Sequence, residues 1–256
     1  LTYKMIDQET SRLAAYKAGQ LDYIESPPQQ DIPQLVKDGT AKIYPYLGTY
    51  YYEFNISKDV DQFGADVAKA LKNPKVRKAL TLAIDRKQIV EDVAKGGQLP
   101  AVDFVPSGIK GTDGKDFDNK EYYPAQGDVA QAKKLLAEAG YPDGKGFPKL
   151  TILYNTSQGH QNIAQAVQDM WRKNLGINVD LKNQEWKVFQ VTRQNHQYEI
   201  ARAGWIADYT DPMTFLDMFV TGGGNNDPGY SNPQYDSLIE AAKKESDQTK
   251  REQEWR

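Results

Sequence analysis

Apolar positions along the chain recur with a helical period in some windows and a period of two in others. The pattern predicts helices and strands in alternation, as in an α/β (mixed α+β) protein. The first sixty residues read strand, helix, strand, helix, strand. Leu13, Ala14, Tyr16 and Ala18 share a short helix closed by Gly19, and Leu21 to Ile24 read as extended. Ile32 to Lys37 form another short helix, ended by Gly39. Lys42 to Asn55 read as a long, tyrosine-rich extended segment, and the polar stretch Ser57 to Gly64 reads as a boundary.

Beyond the boundary, helix punctuation is explicit. Asn73-Pro74 supplies an N-cap and a proline at the first helical position, ahead of Val76, Leu80, Ala83 and Ile84. Asp85 caps a second helix with Gln88 three residues on, and Gly96-Gly97 stops it. Asp128 with Gln131 opens a helix that runs to Gly140. Leu150 to Tyr154 read as a strand, Ile163 to Trp171 as a helix closed by Gly176, and Ile177, Val179 and Leu181 as a half-buried strand. A short helix follows around Trp186 and Phe189, then a strand from Tyr198 to Trp205 that puts Ile200, Arg202 and Gly204 on one face and Ala201, Ala203 and Trp205 on the other. Asp211-Pro212 opens a helix bearing Phe215, Leu216 and Phe219; Asn232-Pro233 opens another through Leu238, Ile239 and Ala242. The helical pattern is still running at Arg256, and the start is equally abrupt, so both ends are expected to be cut from a longer chain.

Composition narrows the chemistry. The chain has 256 residues, no cysteine and two histidines, which excludes disulfides, thiol nucleophiles and thiolate metal sites and leaves little for a histidine-based metal centre. No cofactor is expected. With 32 Lys plus Arg against 35 Asp plus Glu, the net charge of −3 offers no basic excess for nucleic acid. No apolar run approaches the roughly 20 residues that span a bilayer. The opening residues lack the features of a secretory leader, so the protein is either cytoplasmic or a leader has been removed.

A hydrolase needs paired carboxylates or a nucleophile with its base, and no G-x-S-x-G, H-E-x-x-H or G-x-x-x-x-G-K-[ST] pattern occurs. Gly222 to Gly224 read as a loop and Asp211 as an N-cap. Asn55-Ile56-Ser57 and Asn155-Thr156-Ser157 are glycosylation sequons if the source is eukaryotic. Asp208 lies just past a strand end, between Trp205 and Tyr209. A carboxylate beside an indole there suits recognition of an ammonium group, and a turn-forming aspartate is the alternative. Arg202, mid-strand, is either a solvated residue or an anion contact.

Several segments carry a family resemblance. They are Ala201-Arg202-Ala203-Gly204-Trp205-Ile206-Ala207-Asp208-Tyr209 with Thr214-Phe215-Leu216, Thr49-Tyr50-Tyr51-Tyr52-Glu53, Val76-Arg77-Lys78-Ala79-Leu80 with Asp85-Arg86, Ala132 to Gly140, Tyr154-Asn155-Thr156-Ser157, and Asn183-Gln184-Glu185-Trp186-Lys187. Together they closely resemble the oligopeptide-binding proteins of bacterial ABC importers, in the peptide and nickel class of extracytoplasmic solute-binding proteins. The resemblance covers nearly the whole chain. It implies a periplasmic-binding-protein-like receptor whose two lobes close on a short peptide, with residues 1–58 a partial segment of the first lobe and 59–256 most of the second.

By the same resemblance Asp208 pairs with the peptide ammonium, with Trp205 beside it, and the backbone of Gly204 to Ile206 bonds an extended ligand like an added strand. Arg193, Arg202 and His160 meet the ligand carboxylate at different peptide lengths, and Trp186 walls a side-chain pocket. Ile206 stands where the family has a cysteine, and the family's lysine near Lys95 aligns only with a shift, so a tetrapeptide preference does not follow. The implied partners are short peptides and the membrane permease of an ABC importer. The implied protein is an extracytoplasmic monomer that catalyses nothing. A sister receptor for nickel chelates, haem or oligosaccharide is the alternative within the class, and a carboxylate hydrolase the alternative outside it.

Overall fold

The computed structural model describes residues 1–117 and 120–255. In chain order the elements are α1 (Glu9–Lys17), α2 (Ile32–Lys37), β1 (Gly48–Phe54), α3 (Ala65–Lys72), α4 (Pro74–Leu82) and α5 (Arg86–Gln88), which continues as π-helix over Ile89–Ala94. They continue with α6 (Val129–Glu138), β2 (Leu150–Asn155), α7 (Gln158–Leu175), β3 (Val179–Gln184), α8 (Trp186–Gln194), β4 (Ile200–Ile206), α9 (Met213–Leu216), α10 (Pro233–Lys244) and α11 (Gln248–Trp255).

Local chemistry sets most of these boundaries. The side chains of Asn73, Asp85, Asp128 and Asn232 accept hydrogen bonds from the amides of Lys75, Gln88, Gln131 and Gln234, so each satisfies a first-turn donor that the helix cannot. α7 ends at Gly176, whose φ of +69° and close approach to the Asp143 carbonyl leave no room for a side chain. The helix after Asp85 stops one residue earlier than expected, because Lys95 itself takes the left-handed conformation and the Gln98 side chain accepts from the Gly96 amide.

The strands form one sheet in the order β1-β4-β2-β3. β2 runs parallel to β3 and to β4, and β1 closes the other side of β4 antiparallel. The parallel connections run through α7 and α8, which pack on opposite faces. Ala164, Val167, Trp171 and Leu175 of α7 join Leu150, Ile152 and Ile200 in the main core, together with residues of α3, α4 and α6. Phe189 of α8 meets Leu153, Tyr198 and Ala201 on the reverse face. This is the α/β architecture expected, with β2, β3 and β4 in a common sheet.

Two strand expectations need correction. Leu1 to Ile6 and Leu21 to Ile24 form no strand and join no sheet. In the segment 42–55 pairing begins only at Gly48, whose partner Ile206 is the last residue of β4, and Ile43, Tyr44 and Tyr46 remain exposed. The boundary expected at residue 58 falls just after β1, which belongs to the same sheet as β2, β3 and β4. β1 pairs with β4 along its length, the Asn55 amide donates to the Glu199 carbonyl, and the fully buried Asn55 side chain donates to the carbonyls of His196 and Tyr198. Hydrogen bonding thus ties residues 48–58 to the unit drawn as 59–256. The burial of Asn55 also removes it as a glycan acceptor. Arg256, where the sequence pattern is still helical, lies outside the described residues.

Ile200 has no exposed surface and sits where β4, β2 and α7 meet. Replacing it with alanine is expected to cost about 2–5 kcal/mol in chemical denaturation. Val188→Ala on the exposed side of α8 is expected to change stability by about 0.5 kcal/mol or less. Equal small losses at both positions would place Ile200 outside the core.

Candidate functional site

β2, β3 and β4 are parallel, so their carboxyl ends lie at one edge of the sheet, the side on which open α/β folds gather ligand-binding loops. The pairing of β4 is uneven there. It opposes β1 from Ile200 to Ile206, but meets β2 only at Ile200 and Ala201. From Arg202 to Ile206 the edge turned away from β1 has no strand beside it among the described residues. Gly204 and Ile206 are exposed on this stretch.

One face of that stretch carries a polar cradle. By alternation and register, Tyr50 and Tyr52 of β1 share a face with Arg202 and Gly204. The Arg202 guanidinium lies 4.8 Å from the centre of the Tyr50 ring and donates to Asn155 Oδ1 at 3.4 Å, while its buried Nε has no hydrogen-bond partner. The Tyr50 hydroxyl and His160 Nδ1 are 3.2 Å apart. His160 is delivered by the first turn of α7, whose cap Ser157 accepts its amide at 3.4 Å. Burial, reinforced by the nearby guanidinium, pushes the His160 imidazole down to about 4, and burial pushes the Tyr50 hydroxyl up to about 12. At neutral pH both are uncharged, and the cradle carries the single positive charge of Arg202.

The end of β4 carries the opposite charge. Asp208 is exposed just beyond the strand, and its amide donates to Thr214 Oγ1 at 3.1 Å. The Trp205 indole N–H donates to the same oxygen at 3.3 Å, and its ring packs against the cluster of Val105, Ile109, Phe117 and Phe215. Asp211 acts as the cap expected of it, accepting from the Met213 amide, and is also clamped by both terminal nitrogens of Arg251 at 2.6 and 3.0 Å. Trp186 opens α8 at the end of β3. It is 47% exposed, and its ring stacks on Phe189.

Arg193 stands apart from the cradle. Its Nε is 2.8 Å from Asp227 and 3.5 Å from Glu53, and its Nη1 reaches the carbonyl of Arg202. Glu53 lies opposite Ala201 on the reverse face of the sheet, so β4 separates Arg193 from the Arg202 side chain. Two buried carboxylates already occupy this guanidinium. Burial drives Glu53 up to about 8, although Arg193 pulls it down; Asp227 is raised for the same reason.

Of the residues singled out in the sequence, Arg202, Gly204, Ile206, Trp205, Asp208 and His160 therefore line the free stretch of β4 and its tip, with Trp186 at the same end of the sheet. Arg193 lies behind. Tyr50, Asn155 and Thr214 complete the arrangement, and sequence reasoning did not single them out. The tyrosine run marked β1 but could not tell which ring faces Arg202. Among the described residues no group of three or more acidic or histidine side chains is placed to hold a metal ion.

Comparisons with known proteins bear on the family of the chain. The family model for bacterial extracellular solute-binding proteins, family 5, middle region, matches residues 1–227. The oligopeptide-binding protein OppA of Bacillus subtilis is 41% identical over 256 residues, covering 96% of this chain and 44% of that protein. A crystal structure of a periplasmic oligopeptide-binding protein from Borrelia burgdorferi superposes with a TM-score of 0.83 at 36% identity, over 98% of this chain and 47% of that one. Haemophilus influenzae OppA in complex with the peptide RPPGFSPFR superposes at 0.79 with 33% identity, over 97% and 47%. The chain thus spans about half the length of these relatives.

The Glu53 carboxyl yields a pH prediction. Its folded value of about 8 lies above the ordinary 4.5, so between these limits the folded state holds a proton that the unfolded state has lost. Stability should fall as pH rises through this window and stay low above it. Glu53→Gln should flatten that dependence in urea midpoints compared at pH 5 and pH 8.5; an unchanged slope would show that Glu53 does not titrate there.

Proposed function

This chain belongs to the bacterial extracellular solute-binding proteins of family 5, and from that membership and the free edge of β4 we propose that it is the larger part of the ligand-binding lobe of a peptide receptor serving an ABC importer. The observation that carries the reading is the stretch Arg202 to Asp208, a strand edge without a strand partner that has a cation near one end and a carboxylate at the other. An extended peptide laid along it gains main-chain hydrogen bonds that do not depend on its sequence. Its ammonium group pairs with Asp208 beside the Trp205 ring, and its carboxylate is drawn toward Arg202, with the neutral His160 and Tyr50 as hydrogen-bonding neighbours. The six residue steps from Arg202 to Asp208 span at most about 20 Å. With the reach of the two side chains subtracted, that suits a peptide of roughly three to five residues at about 3.3–3.6 Å each. Such a protein binds and hands over its ligand without chemistry, as an extracytoplasmic monomer whose partners are short peptides and a membrane permease.

The site is half of an enclosure. Asp208, Gly204, Ile206 and Trp186 are all exposed, and a closing receptor desolvates them only when a first lobe covers the ligand. Calorimetry on this chain alone should therefore show tri- to pentapeptides binding more weakly than micromolar, that is less than about 8 kcal/mol. Micromolar or tighter binding would show that the lobe suffices.

In a protein that carries both lobes, Asp208→Asn keeps the shape and removes the charge that faces the ligand ammonium. Losing one partner of a desolvated ion pair costs about 3–5 kcal/mol, a loss of roughly two to three orders of magnitude in affinity. N-acetylating the peptide should weaken the wild type similarly. Both changes together should cost much less than their sum, because they remove the same interaction. A variant that binds free and acetylated peptides as tightly as wild type would make Asp208 a turn former and end the peptide-receptor reading.

A further inference from the structure

Of the two groups assigned to the ammonium end of the ligand, Trp205 lies in β4 opposite Thr49, whereas Asp208 is not fixed by the strand. Asp208 lies past the last paired residue, Ile206, in a stretch without secondary structure. One atom links the two. The hydroxyl oxygen of Thr214 accepts from the Asp208 amide at 3.1 Å and from the Trp205 indole N–H at 3.3 Å. Thr214 is only 2% exposed, in the single turn of α9. That turn is anchored in its own right. The Thr214 amide donates to the Asp211 carbonyl, the Asp211 side chain caps Met213, and Arg251 of α11 grips the same carboxylate through two nitrogens and also donates to the Ala242 carbonyl. The anchoring thus runs from α11 through Asp211 and Thr214 to the indole and the loop backbone.

We propose that Thr214 is a positioning residue for ligand recognition, holding the Trp205 ring and the Asp208 main chain in one frame before a ligand arrives. The proposal rests on the reading of Asp208 and Trp205 as the ammonium site. Rigid placement matters there because an exposed loop that must order on binding loses affinity by the entropy of ordering. A buried hydroxyl is well suited to the task. Its oxygen has two lone pairs and here receives one donor from each of the two parts to be aligned. Valine has the same shape and neither acceptor, so it leaves a half-buried indole N–H and a half-buried amide without their partner.

The test uses a protein with both lobes and two probes, trialanine and N-acetyl-trialanine, measured by calorimetry. Thr214→Val should weaken trialanine about tenfold, the scale of one lost hydrogen bond, while the acetylated probe, which cannot use Asp208, is unaffected. Thr214→Ser should restore wild-type selectivity. In the ligand-free protein the Trp205 indole N–H resonance, identified by its loss in Trp205→Phe, should move in Thr214→Val and not in Thr214→Ser. A Thr214→Val protein that weakens both probes equally, or neither, overturns the proposal, as does a serine variant as impaired as valine. Should the valine variant not fold, Asp211→Asn, which retains the cap and loosens the Arg251 clamp, should show the same selective loss at about threefold; no selectivity there also overturns it. A wild-type protein that binds both probes alike overturns the ammonium reading together with this proposal, whereas a selective wild type with an unselective effect of Thr214→Val overturns this proposal alone.

Discussion

β4 is held by β1 from end to end on one edge and by β2 only at Ile200 and Ala201 on the other, and the functional half of the molecule depends on that asymmetry. A strand needs one paired edge to stay extended, and β1 supplies it. The backbone groups on the other edge still require partners, which water or a ligand must provide. The reason for the divergence is local. The last residues of β2, Tyr154 and Asn155, pair with Asn183 and Gln184 of β3, and the chain then turns through Ser157 into α7. His160 is set against Tyr50 by that same turn.

β4 also partitions the charges. Behind it, one guanidinium serves two buried carboxylates, and desolvation keeps Glu53 protonated in the neutral range, so the Arg193, Glu53 and Asp227 cluster is close to neutral as a group. In front of it, Arg202 has a tyrosine face, one long hydrogen bond and an unpartnered Nε. Two arginines nine residues apart in sequence therefore have opposite surroundings: Arg193 is paired with carboxylates on the reverse face, and Arg202 keeps an unpartnered Nε.

Much of this was legible from residue types because the punctuation is local. Asn73-Pro74, Asp85 with Gln88, Asp128 with Gln131 and Gly176 each settle a helix end by an interaction within four residues, and alternation correctly separated the two faces of β4. What was not legible depends on distant partners. Leu21 to Ile24 have strand-like composition but pair with no strand among the described residues, and the tyrosine-rich segment begins pairing only where β4 ends. Arg193 was grouped with Arg202 and His160 by resemblance. Its contact with Asp227 at 2.8 Å, from 34 residues away, exists only in three dimensions. Thr214 was invisible for the same reason, since a threonine in a short helix has no pattern that marks it as the shared acceptor of two groups upstream.

Gly204 shows how a single position serves both edges of the argument about β4. Its conformation is ordinary extended backbone, so conformational freedom is not why glycine stands there. A Cβ would come within 3.2 Å of Arg202 Nη2 and 3.6 Å of the Thr49 carbonyl. A side chain would therefore ask the end of the Arg202 guanidinium to give by a few tenths of an ångström, with ordinary contact to the Thr49 carbonyl, and it would also stand up from the free stretch of β4 backbone. Pairing strength argues against glycine in a strand. Here that loss is offset by β1 on the far edge, and the position leaves space for Arg202 beneath.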